Sequence, residues 1–180
     1  MKANNIVLAG IGGQGIILAS RLLAAAAMEQ GCFVRTSETI GMSQRGGSVV
    51  SHIRIDGENK SSMIPSGQAD LLIAFSPAEA LRSLHLLKKD GQCVINGTSD
   101  EILSDFPKEY TFFLADGTVA ADAAGSRKTL NVAMIGAAVG CGALDFTLPH
   151  LIKTIETIVP ARFVPMNTDA LKRGCSLVSH

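Results

Sequence analysis

An apolar run, Asn5 to Ala9, leads without interruption into Gly10-Ile11-Gly12-Gly13-Gln14-Gly15, and a long helical segment follows from Ile16. Few folds accept that order. A buried strand that ends in a glycine turn and restarts as a helix is the opening of a βαβ unit. The first glycine of G-x-G-x-x-G permits the tight turn, the second a close approach by another group, and the third close packing of helix on strand. The unpaired N–H groups and dipole at the start of such a helix favour an anion. Gly12, Gly13, Gln14 and Gly15 are therefore candidate binding residues for a ligand or a partner chain.

The rest of the chain continues the alternation. Ile16 to Gln30 reads as a helix, with Ala24 to Ala27 favouring it and Gly31 placed to stop it. Cys32 to Thr36 reads as a second strand, and Ser37 to Gly47 as a polar loop. Ser48 to Ile55 alternates like a strand, and Asp56-Gly57 is a hairpin signal, with the return strand expected over about Asn59 to Ile64. Ala69 to Phe75 reads as a buried strand. Ser76, Pro77 and Glu79 then spell a helix start, with the helix expected to reach about Lys88. Gln92 to Asn96 and Thr111 to Ala115 supply two more strands. Helical segments follow from Thr118, including an Ala- and Gly-rich stretch at Leu130 to Cys141 and an amphipathic one at Thr147 to Val159. Asn167 or Thr168 is a candidate cap for a short final helix. The fold class expected is α/β. It is a single doubly wound, mostly parallel sheet, Rossmann-like and three-layered, with a β-hairpin insertion and residues 1–180 in one domain.

Composition bounds the function classes. Aromatics are 4% and Trp is absent, so a core must come from the 47% of hydrophobic residues that are mainly small or aliphatic. Sixteen basic and sixteen acidic residues cancel, which gives no field suited to nucleic acid or to an anionic membrane. The longest apolar stretch, Ile16 to Met28, is interrupted by Ser20 and Arg21 and is too short to span a bilayer. No secretory signal is legible, so a cytoplasmic location is expected. Cys32, Cys93, Cys141 and Cys175 are far apart, with no C-x-x-C, and neither an iron–sulfur cluster nor a zinc site is expected in this chain. His52, His85, His150 and His180 are scattered, and no catalytic or metal constellation can be assembled from spacing.

The glycine loop alone leaves its ligand open. A dinucleotide fingerprint needs an acid on the ribose, about 20 residues past the loop. The second strand instead ends in Arg35-Thr36, with Glu38 beyond it; Arg35 suits a 2′-phosphate. A bare turn, a contact to a partner subunit, an anionic ligand and true NAD(P) binding all remain in play. The segment Glu38 to Gly47 is more specific. It is too polar for core and too rich in glycine for a helix, and it presents Gln44, Arg45 and Gly46 just before a strand.

Together, GIGGQGI at Gly10 to Ile16 and ETIGMSQRGGSV at Glu38 to Val49 resemble the gamma-type domain of 2-oxoacid:ferredoxin oxidoreductases, which act on pyruvate, ketoisovalerate, 2-oxoglutarate or indolepyruvate. The resemblance continues through ADLLIAFSPAEAL at Ala69 to Leu81 and LNVAMIGAAVG at Leu130 to Gly140. GMSQRGG is similar to the form in indolepyruvate beta subunits but is shared too widely to choose a substrate. The resemblance implies an oxidative decarboxylation of a 2-oxoacid, usually to an acyl-coenzyme A, by a complex in which this chain is not catalytic alone. Thiamine diphosphate, Mg²⁺ and iron–sulfur clusters are expected in alpha- and beta-type partners and, in many members, a ferredoxin-like delta subunit. Coenzyme A is then a co-substrate and ferredoxin the acceptor of the complex. Two alternatives stay open: a stand-alone NAD(P)-binding oxidoreductase, and a purely structural subunit. A homodimer of the isolated chain is also left open.

Overall fold

The computed structural model describes residues 4–41, 47–56, 61–98, 104 and 106–177. Six strands form one sheet: β1 (Asn5–Ile11), β2 (Val34–Ile40), β3 (Ser48–Ile55), β4 (Ala69–Ala74), β5 (Leu87–Asn96) and β6 (Thr111–Ala115). Their spatial order is β2-β3-β1-β4-β5-β6. β1, β4, β5 and β6 run parallel. β3 is antiparallel both to β1 and to β2, so β2 points the same way as β1 from one place further out. Among the described residues six α-helices connect or flank these strands: α1 (Ile16–Glu29), α2 (Pro77–Ser83), α3 (Gly117–Ala123), α4 (Leu130–Gly140), α5 (Leu148–Ile158) and α6 (Val164–Leu177).

Alternation along the strands divides the interior in two. Ile6 and Leu8 of β1, Leu71 and Ile73 of β4 and Val94 of β5 face α1, α4 and α5. Val7, Ala9, Leu72, Ala74, Cys93 and Ile95 point the other way, onto Ala80, Leu84 and Phe106. Strands buried on both faces read as unbroken apolar runs, which is why NIVLA and ADLLIAF carry so little alternation. In α1, buried Ile16, Ala19, Leu22, Leu23, Ala26 and Ala27 recur at helical spacing on one side. Gly31, at φ +83°, ends that helix by donating its N–H to Met28 O.

Four expectations are corrected. The hairpin lies one strand earlier than Asp56-Gly57 suggests: β2 and β3 are its two arms. β2 accordingly runs to Ile40, through residues that read as loop. Both edges of β3 are taken, by β2 and β1, so no edge is open for a return strand. Residues 61–64 are not in a strand, and 57–60 lie outside the described residues. Asp56 does turn the chain, at φ +54°, and its carboxylate accepts from Phe33 N–H. Third, α2 stops at Ser83; a 3₁₀ turn, Leu84–Leu86, hands the chain directly to β5. Fourth, α6 is a 14-residue helix that begins at Val164, with Asn167 inside it donating to Phe163 O rather than capping.

α4 and α6 approach closely enough for backbone to meet backbone. A Cβ on Gly174 would overlap Ala133 O, and one on Gly136 would overlap Leu171 O. The small residues of LNVAMIGAAVG thus serve helix–helix contact.

Candidate functional site at the glycine loop

β1 delivers the glycine loop to the carboxyl end of the sheet, where parallel α/β folds hold their ligands. The loop is braced from within. Gln14 N–H donates to Ile11 O at 3.1 Å, and Ile11 N–H donates to Gln14 Oε1 at 2.7 Å. Gln14 therefore holds the turn with its own side-chain oxygen. Gly12 N–H donates to Gly47 O at 2.9 Å, tying the loop to the residue before β3. Gly13 has φ +98° and no atom near the place of a Cβ, so this residue is the open point of the turn.

Gly15 is the N-cap of α1 in the left-handed conformation, and α1 has no side-chain cap. Its carbonyl accepts from Ala19 N–H at 3.0 Å and from Asn131 Nδ2 at 3.1 Å. A Cβ there would lie 2.7 Å from Asn131 Nδ2. The third glycine thus packs α1 against α4 through a buried asparagine.

Beside the loop is a cleft of about 340 Å³ lined by Gly13, Gln14, Asn96, Thr118, Arg127 and Lys128, with Leu130 behind them. Asn96 ends β5 and donates to Thr118 Oγ1 and Phe75 O. The Oδ1 atoms of Asn96 and Asn131 are buried without a hydrogen-bond partner among the described residues. Arg127 is engaged by Asp122 at 3.0 Å. The cleft thus combines the open turn at Gly13, amide side chains and two cationic residues, an arrangement suited to an anionic group that also carries hydrogen-bond donors.

Of the sequence candidates, Gly12, Gly13, Gln14 and Gly15 come together here. Gln44, Arg45 and Gly46 lie outside the described residues; the flanking Gly41 and Gly47 are described, with Gly41 N–H donating to Ser48 O. Ser48 Oγ in turn donates to Glu79 Oε2 at 2.5 Å, and Glu79 is 1% exposed. Arg35 is level with Arg54 and Asn5, at the opposite end of the sheet from the glycine loop, with its guanidinium over Phe33. It cannot meet a phosphate bound at that loop. Asn96, Thr118, Lys128 and Asn131 were not singled out from sequence. A lone polar residue in the apolar stretch LNVAMIGAAVG was the signal for Asn131; the others carried none.

The described histidines have local partners: His52 Nδ1 accepts from Ile64 N–H, His85 sits on Arg82 O, and His150 lies 3.0 Å from Glu29. Burial lowers the pKa of His52 and raises those of Cys93 and Cys141. Among the described residues there is no group of three or more His, Cys, Asp or Glu able to hold a metal, and no helix long and apolar enough to cross a membrane.

A doubly wound α/β chain with an anion-suited glycine loop defines a class broader than one activity. Comparison with known proteins narrows it. Residues 5–177 match the family described as pyruvate ferredoxin/flavodoxin oxidoreductase. The chain is 37% identical to the indolepyruvate oxidoreductase subunit IorB of Archaeoglobus fulgidus, over 94% of this chain and 92% of that one. It is 34% identical to the pyruvate synthase subunit PorC of Methanocaldococcus jannaschii, over 73% and 72%. The crystal structure of the Thermotoga maritima pyruvate oxidoreductase subunit PORC superposes with a TM-score of 0.80 at 26% identity, covering 99% of this chain and 98% of that one. The chain belongs to the pyruvate ferredoxin/flavodoxin oxidoreductase family. It is a gamma-type subunit of a multi-subunit 2-oxoacid:ferredoxin oxidoreductase.

Proposed function

We propose that this subunit works beside alpha- and beta-type subunits that carry thiamine diphosphate, Mg²⁺ and iron–sulfur clusters, and that residues 1–180 act as one gamma-type domain. A ferredoxin-like delta subunit and ferredoxin as acceptor complete the assembly. The observation that carries this reading is the match to an indolepyruvate oxidoreductase subunit over 94% of the chain. The same match supports an aromatic 2-oxoacid as substrate. Coenzyme A takes the acyl group. In the complex the thiamine cofactor supplies the decarboxylation chemistry. This chain supplies a surface at the carboxyl end of its sheet.

On that surface Gly12, Gly13, Gln14 and Gly15, with Gln44, Arg45 and Gly46, face a phosphate-bearing ligand or a carboxylate of a partner subunit. The tie between Gly12 N–H and Gly47 O supports it, because it sets the glycine loop beside the start of β3, into which the Gln44–Gly46 segment leads. Arginine suits bidentate contact with either group. The test is Arg45→Ala in the enzyme purified with its partners. Weaker subunit retention or a raised KM for coenzyme A is expected. Unchanged assembly together with unchanged kinetics on indolepyruvate and coenzyme A would reject the role. Recovery of the tagged wild-type chain without thiamine- and iron-bearing partners would reject the assembly itself.

A further inference from the structure

A second cleft, of about 210 Å³, opens where α1, α5 and α6 meet, and among the described residues shares only Lys128 with the cleft beside the glycine loop. Its walls are apolar: Leu18 from α1, Ile158 at the end of α5, Pro160 and Phe163 between α5 and α6, and Met166 in the first turn of α6. Phe163 is 39% exposed, so the wall meets solvent.

The polar groups at this cleft are few and mostly committed. Thr129 Oγ1 donates to Ser126 O at 2.7 Å. Asn167, 5% exposed, spends an amide N–H on Phe163 O at 2.8 Å. Lys128 is exposed and forms no ion pair among the described residues. The neighbouring Arg162 guanidinium is already stacked 4.6 Å over the Phe163 ring, which leaves Lys128 as the cation at the cleft. The cleft therefore offers an apolar body-sized space with positive charge at its mouth.

We propose that this cleft binds a small apolar monocarboxylate, an aryl or branched-chain acid, with its hydrocarbon part between Leu18, Ile158 and Phe163 and its carboxylate at Lys128. Size sets one limit, since drug-sized ligands occupy sites of about 300 Å³ or more and this space is smaller. Charge sets another. A phosphate ester carries more charge than one exposed ammonium offsets, and its polar shell would be stripped against apolar walls. A neutral apolar molecule would leave the Lys128 ammonium without a counter-charge.

The test is ligand-observed saturation-transfer NMR on the full chain with phenylacetate and isovalerate, followed by calorimetry, and repeated on the complex. Saturation is expected for the acids, and phenylacetamide, which keeps the ring and loses the charge, should bind more weakly by about the 2- to 5-fold that one ion pair supplies. Lys128→Gln should weaken phenylacetate by about 2- to 5-fold, the range of one partly exposed ion pair. Phe163→Ala changes an exposed wall residue and should also weaken it. Because Lys128 lines both clefts, competition by inorganic pyrophosphate, a probe of the glycine-loop cleft, is read in the Lys128→Gln chain; none is expected, and competition there would place the acid at that other site and overturn the proposal. Equal binding of acid and amide would overturn it in favour of a hydrophobic docking cleft for a partner side chain. No saturation of either acid, with a native-like melting curve, would overturn it outright.

Discussion

Gly15 fixes three things at once: the left-handed cap of α1, the carbonyl that receives Asn131, and the gap into which Asn131 fits. Alanine in place of Gly15 would carry a Cβ at φ +78° and push on a fully buried amide. The backbone strain alone is about 1 kcal/mol, and displacing Asn131 adds to it, so about 2–3 kcal/mol of stability should be lost. A denaturant titration of the variant reads this directly. Gly13→Ala, with open space around it, should show only the backbone share. At His52 the argument is one of protons. Burial lowers its pKa from the ordinary 6.5, and its Nδ1 accepts from Ile64 N–H, which only the neutral ring can do. The unfolded chain therefore takes up a proton before the folded one. The stability held by neutral His52 is full above about pH 6.5, falls as the pH drops through that value, and stops falling once the folded ring also protonates. His52→Gln keeps an acceptor and does not titrate. The stability difference between wild type and this variant should shift in favour of the variant between about pH 8 and about pH 5.5 in parallel denaturant titrations.

Helix α4 shows how an element can be chosen by what it must touch. Alongside side chains such as Val132, Ile135 and Leu171 that share one core, Gly136 and Gly174 let the two backbones meet at Leu171 O and Ala133 O. Gly174→Ala should raise helix propensity by about 1 kcal/mol and still destabilise, because the added methyl has only backbone to displace. A lowered melting temperature, despite the better propensity, is the expected reading; an increase would mean that α6 can slide. Such contacts explain what the sequence could and could not disclose about elements. NIVLA, ADLLIAF and TFFLA announced β1, β4 and β6 through unbroken apolar runs, and the stripe from Leu148 to Ile158 announced α5. The end of α2 was hidden because Leu84, Leu86 and Leu87 continue a helical apolar pattern while the chain has already turned into β5. The partner of β3 was hidden because alternation fixes the face of a strand, not its neighbour. At the site, glycine spacing disclosed the loop; Asn96 and Asn131 act through contacts about 20 and 116 residues away in sequence, which no local pattern records.

For the whole molecule, the order of strands decides which class of ligand the glycine loop can serve. In a dinucleotide fold the second strand lies directly beside the first, and its acidic end reaches the ribose of a cofactor whose pyrophosphate sits on the loop. Here β3 fills that place and runs the opposite way, with Ser48 opposite Ile11. β2 is moved out by one strand spacing, about 4.8 Å. Its end, Ile40, is level with Val49 and Gly10, and the carboxylate of Glu38 belongs two residues lower, level with Ser51 and Leu8. Arg35 sits at the far end of the same strand. The sheet therefore keeps the anion-suited turn and lacks, among the described residues, the group that would select a ribose beside it. Titration of the full chain with NADH or NADPH, followed by cofactor fluorescence, should show no saturable binding even at millimolar concentration. Saturable binding at micromolar NADH would require a ribose contact that this strand order does not provide, and would return the loop to the dinucleotide class. Its absence, together with partner-dependent binding of a phosphate ligand, would make the inserted β3 the feature that turned a nucleotide-type loop into a subunit surface.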